Sequence, residues 1–241
     1  MISDRSSAPA TTAGAEFVAG ARACLPVVLG YLVIGAALGV VARTAGLSVA
    51  EAALMSLILY AGSAQFVVAG LLGAGAAAPA IVLTVFLVNL RHLLYSAALA
   101  PHLRRVPTWQ NMLIGAQLTD ETFAVAASHL PGDRQARASW LLGLNMAAQA
   151  TWLAATTLGA VVGRALPDIH ALGLDFALAS MFAALLVARV MAWPRRRVAV
   201  IVAALGALVA VGAALIMPLS WAVILAALVA ATAGALIEGR A

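Results

Sequence analysis

The segment from Ala80 to Ala100, AIVLTVFLVNLRHLLYSAALA, puts an arginine in the middle of an apolar run. A helix rising about 1.5 Å per residue needs roughly 20 residues to cross the hydrocarbon of a bilayer, and this run is long enough. An Arg near mid-bilayer costs about 3 kcal/mol on insertion scales, and more without a partner. The polar side chains also leave the helix in two directions. At about 100° per residue, Asn89, His92 and Ser96 share one face, and Thr84, Arg91 and Tyr95 another. A helix polar on two faces at that depth must be enclosed by protein or line a wet cavity. Intramembrane ionisable residues are functional by default; the competing reading of Arg91 is a snorkelling or structural residue beside a carboxylate.

The rest of the chain supports a membrane setting. Of its 241 residues 64% are hydrophobic and 10% charged, against about 45–50% and 25% in soluble domains. Mean hydropathy is +1.05. The expected fold is all-α: a polytopic membrane helix bundle of about seven or eight membrane helices, one or more broken or re-entrant. Residues 1–16 read as a short polar tail and residues 17–241 as one transmembrane domain. The basic residues are all Arg and fall mainly in short connections, so the net charge of +5 reflects loop arginines rather than a nucleic-acid surface. Eight spans with the N-terminus inside and seven with it outside both place Arg195, Arg196 and Arg197 in the cytoplasm. The lone Cys24 allows no internal disulfide, and no Cys/His cluster suggests a metal or cofactor.

Taken in order, a first span runs from Phe17 or Cys24 to Ala42, with Gly35 and Gly39 spaced for close helix packing. A second, Ser48 to Leu72, opens with a capping-box spacing at Ser48 and Glu51. Its middle, Tyr60-Ala61-Gly62-Ser63-Ala64-Gln65, suits either a broken helix with usable backbone groups or a continuous helix with a packing notch. After the opening segment comes Gln110–Leu130, where Thr119-Asp120-Glu121-Thr122 sets two acids side by side. Adjacent residues diverge by about 100°, so one acid alone can face Arg91; otherwise the segment lies at the interface with both acids in water. Ser139–Val162 carries Asn145 and Gln149. Phe176–Trp193, capped by Asp175, and the plain runs Val198–Met217 and Leu219–Ile237 follow. Ala64-Gln65 finds an echo in Ala148-Gln149, with Asn89 and Asp175 at similar distances beyond. Repeats of broken polar helices are a pattern of secondary transporters, and chance is an equal explanation in so Ala-rich a chain.

The run from Tyr60 to Phe66, the run Asn89-Leu90-Arg91-His92 with Tyr95-Ser96, then Thr119-Asp120-Glu121 and Gly173-Leu174-Asp175-Phe176-Ala177-Leu178 resemble the AzlC family, in the family's order. The resemblance extends from about Gly20 to Leu186. It implies the large subunit of a two-component exporter of branched-chain amino acids in the bacterial inner membrane. The implied partner is a small AzlD-type membrane subunit and the implied energy source the proton gradient; a homo-oligomer is compatible. The chain has no GxxxxGK[ST] phosphate loop for ATP hydrolysis.

A zwitterionic substrate needs a cation or helix N-terminus for its carboxylate and an anion or carbonyls for its ammonium. Arg91 is the candidate for the first role and Asp120 or Glu121 for the second or for a proton. Ser63, Gln65, Asn89 and Tyr95 are candidate polar contacts, Gly62 the candidate break, and His92 a candidate proton carrier or structural His. Asn145, Gln149 and Asp175 are candidates in the second half. Export of another small molecule, or a channel sharing its pathway with the small subunit, are the alternatives. An intramembrane hydrolase built on Ser63 with His92 or His129 is remote, since no second Gly follows the serine.

Overall fold

A computed structural model describes residues 12–130, 137–163, 193–217 and 219–238, with isolated positions between 165 and 191. These residues are helical, with short connections. Helix α1 (Ala13–Ala23) begins on the Thr12 cap and leads at Cys24 into α2 (Leu25–Thr44), whose Pro26 sits in the first turn, where no N–H is needed. Then come α3 (Val49–Ile58), α4 (Gly62–Gly73), α5 (Ala78–Asn89), α6 (Arg91–Leu99) with a terminal 3-10 turn, α7 (Thr108–Ala116), α8 (Asp120–His129) and α9 (Ala138–Val162). Two further helices, α10 (Arg196–Ala214) and α11 (Leu219–Glu238), pack on each other. Among the described residues, Leu25–Thr44, Ala78–Leu103 and Arg196–Ala214 are long and apolar enough to cross a membrane. Asp175 and most of the expected Phe176–Trp193 span lie outside the described residues.

The core is a close-packed sandwich of α1 and α2 against α9, and glycine sets its spacing. A Cβ on Gly39 would stand 2.1 Å from the Thr156 carbonyl oxygen, and one on Gly159 2.1 Å from that of Ala36. Nearer the N-terminus, Gly20 and Gly143 admit the backbones of Trp140 and Phe17 as closely. Where lipid gives helices no hydrophobic reason to associate, this backbone proximity and the dispersion it allows hold them together. The Gly35/Gly39 pair is thus a packing device, as its spacing predicts. Arg137 at the start of α9 pairs with Glu16 of α1.

Two expected spans are interrupted near their middles and a third is tightened. Between α3 and α4 the chain leaves helical geometry at Leu59 (φ −98°, ψ 69°) and Ala61 (φ −151°, ψ 95°), so the span is broken at Leu59–Ala61, with Gly62 opening the second half. The Gln110–Leu130 segment is likewise two helices, with Gln117, Leu118 and Thr119 between them. Its second half starts at Asp120 because Thr119 and Thr122 exchange capping hydrogen bonds. The Ala80–Ala100 run stays helical through Leu90 (φ −54°, ψ −26°) but tightens there. Leu90 and Leu93 donate to Leu87 and Leu90, three residues back. By contrast α9 is unbroken for 25 residues. This corrects the Ala64-Gln65/Ala148-Gln149 echo: Gln65 lies in the first turn of a half-helix and Gln149 in the middle of a continuous one. The likeness in the structure is between α3–α4 and α7–α8, each about ten residues, a three-residue break and about ten more.

Candidate functional site

The two interrupted segments bring helix N-termini to one place. The cavity there is lined by Tyr31, Tyr60, Ala61, Gly62, Ser63, Arg91, His92, Thr119, Asp120, Glu121 and Trp152. Six of the sequence candidates thus converge on it: Gly62, Ser63, Arg91, His92, Asp120 and Glu121. The cavity holds about 20 Å³, enough for a water or two and far less than the roughly 300 Å³ of a small-ligand site. A larger groove between α10 and α11 is walled by residues such as Val198, Val202, Gly206 and Ala230. It offers nothing to hold a charged end.

Arg91 is the hub. Its guanidinium lies 2.8 Å from Asp120 Oδ2, the two side chains being 23% and 18% exposed. A second guanidinium nitrogen donates to the Ser63 hydroxyl, so Arg91 ties the start of α4 to the start of α8. Tyr95, one turn along α6, donates its hydroxyl to Asp120 Oδ1. It also stacks on Phe123 of α8 at a centroid distance of 4.7 Å. Arg91 and Tyr95 therefore reach the same carboxylate, as their shared helix face predicts. Glu121 points elsewhere: Tyr31 of α2 donates to its Oε2 at 2.8 Å and stands 2.7 Å from the Thr119 hydroxyl. The two adjacent acids serve different partners, and Asp120 is the one that pairs with Arg91.

Behind the cavity, α9 braces both breaks. Asn145, Gln149 and Trp152 fall on one face at spacings of four and three. Asn145 donates to the Ile114 carbonyl in the last turn of α7 at 3.2 Å, and Gln149 to the Leu57 carbonyl in the last turn of α3 at 3.3 Å. Both carbonyls lie in a last helical turn, where i+4 partners run out; that of Ile114 also accepts from the Gln117 N–H. Gln117, in the second break, donates to Gln149 at 2.7 Å. Trp152 donates its indole N–H to Gln65 Oε1 at 2.6 Å, and Gln65 passes a bond to Ser56 at 3.1 Å. The Trp152 ring meets Tyr31 edge-on at 4.9 Å and leaves no space at Gly62, where a Cβ would lie 2.8 Å from the indole. Gln65, Asn145 and Gln149 are not among the cavity's lining residues. The backbone carbonyl of Asn89 stands 3.1 Å from His92 Nδ1, and the Asn89 side-chain oxygen is buried without a partner. Tyr31 and Trp152 are site residues that the sequence did not single out, and Tyr60 was named only as part of the broken stretch and family motif.

The chain has recognisable relatives. Residues 26–166 match a family model described as AzlC protein. The inner membrane protein YgaZ of Escherichia coli is 33% identical over 180 residues, 72% of this chain and 73% of that protein. An uncharacterised membrane protein of Archaeoglobus fulgidus is 35% identical over 176 residues, 71% and 75% of the two chains. The branched-chain amino acid transport protein AzlC of Bacillus subtilis is 28% identical over 160 residues, 66% and 61%. No solved structure gives a significant match.

Proposed function

The chain belongs to the AzlC protein family, and from that premise we propose that it is the large subunit of a secondary exporter of branched-chain amino acids. In this reading it resides in the bacterial inner membrane, works with a small AzlD-type subunit and is driven by the proton gradient. The observation that carries the proposal is Arg91, held between Ser63 and Asp120 where two half-helices begin. A half-buried cation, two positive helix ends and a second acid in one enclosed space suit a small zwitterion. The name of the Bacillus subtilis relative supports the substrate class. Among the described residues lining the cavity, Ser63 is hydrogen-bonded to Arg91 and His92 meets the Asn89 carbonyl, an arrangement that favours binding over chemistry.

The cavity's small volume fits a closed conformation. Alternating access then requires the half-helices to part, and the tightened turn at Leu90 and the breaks at Leu59–Ala61 and Gln117–Thr119 are where backbone rotation costs least.

The test is efflux of labelled leucine from cells preloaded with a leucine-containing dipeptide and lacking other exporters. Efflux that needs both subunits and collapses with a protonophore is the expected result. No leucine efflux with both chains inserted in the membrane would reject the substrate assignment.

A further inference from the structure

The polar groups around the cavity differ in how fully they are satisfied. Asp120 has both oxygens engaged, by Arg91 and Tyr95. Glu121 accepts one bond, from Tyr31 to Oε2, and no cation stands beside it among the described residues. Tyr60 is 7% exposed and lines the cavity; its hydroxyl lies near that of Tyr31 but makes no hydrogen bond of good geometry. A buried hydroxyl left in that state costs on the order of 1–3 kcal/mol, so an uncompensated one at a cavity wall points to a partner that comes and goes. Across the cavity, α4 begins at Gly62 after Ala61, which provides no side-chain cap, so its first-turn N–H groups open beside the Arg91 guanidinium.

We infer that Tyr60 and Glu121 form the subsite for the substrate's α-ammonium group, while the start of α4 and Arg91 receive its carboxylate. The assignment rests on the proposed transport of amino acids and divides the cavity into poles. The ammonium donates to Glu121 Oε1 and to the Tyr60 hydroxyl oxygen, making charge-assisted bonds in a place sheltered from water. Tyr31 holds Glu121 by its other oxygen and is a positioning residue. Asp120 acts differently, neutralising Arg91 and, through it, keeping the two half-helices together.

The experiment measures ligand binding and thermal stability of the full chain with its small subunit in lipid nanodiscs. Wild type, Tyr60→Phe and Glu121→Gln are each titrated with leucine, with isoamylamine, which keeps the amine alone, and with isocaproate, which keeps the carboxylate alone. Both substitutions are expected to weaken leucine and isoamylamine on the order of tenfold and to leave isocaproate unchanged. Tyr60→Phe should also unfold at the same or a higher temperature without ligand, because it deletes an unpartnered hydroxyl. Full leucine affinity in both variants, or an equal loss for isocaproate, overturns the subsite. A wild type that ignores leucine but binds another α-amino acid with the same dependence on Tyr60 and Glu121 supports the subsite and rejects the branched-chain reading. A wild type that binds no amino acid overturns both.

Discussion

Breaking the Arg91–Asp120 pair from either side should cost more than removing it whole. Arg91→Gln leaves a carboxylate facing Tyr95 without its cation, and Asp120→Asn leaves a guanidinium supported by Ser63 alone. Stripping one partner from a fully buried pair costs about 3–5 kcal/mol. Here the side chains keep about a fifth of their surface exposed, so about 2–3 kcal/mol per single substitution is the expected range. The double variant removes both charges and retains the neutral hydrogen-bonding groups, so its loss should fall at or below that of either single. The resulting coupling is on the order of 2 kcal/mol, well above the few tenths expected of independent sites. The assay is unfolding of the detergent-solubilised complex, with midpoints converted to free energies against denaturant. Additive losses within about 0.5 kcal/mol would refute the idea that this contact joins α6 to α8.

Other substitutions test the scaffold and the braces. Gly39→Ala puts a methyl 2.1 Å from the Thr156 carbonyl oxygen; parting α2 from α9 should cost about 1–3 kcal/mol or more and lower the yield of folded protein in membranes. Trp152→Phe keeps the ring against Tyr31 but removes the donor to Gln65. It should cost about 1–3 kcal/mol and raise the hydrogen–deuterium exchange of the Ala61–Gln65 amides. Gln149→Leu removes the bonds to Leu57 and Gln117 together and should raise exchange at both breaks, whereas a change at one break alone would deny the brace its shared role.

The bundle and its central charge were legible in the sequence for a simple reason. Arg91 in an apolar run is so costly that it has to be enclosed and paired, and Ser48-x-x-Glu51 and Gly35-x-x-x-Gly39 encode local geometry that needs no tertiary information. The choice of Asp120 over Glu121 was not legible. It depends on α8 starting at Asp120 behind the Thr119 cap, which sets the direction of each acid, and the Thr119-x-x-Thr122 spacing is a cap signal hidden beside two more conspicuous charges. Tyr31, Tyr60 and Trp152 read as core aromatics among so many apolar neighbours. The one clue was that a phenol or indole in mid-span needs a partner for its polar edge. Asn145 and Gln149 stood out as polar mid-span residues, but their distant carbonyl partners become visible only once α3 and α7 are seen to end where they do.

The central claim, that substrate is handled in the cavity around Arg91, is met most directly by leucine counterflow in proteoliposomes carrying the chain and its small subunit. Wild type is compared with the Arg91→Gln/Asp120→Asn double variant, reconstituted at equal density and matched for thermal stability. Wild type is expected to exchange labelled leucine rapidly and the double variant not at all above empty liposomes. Undiminished exchange by a folded double variant would contradict it.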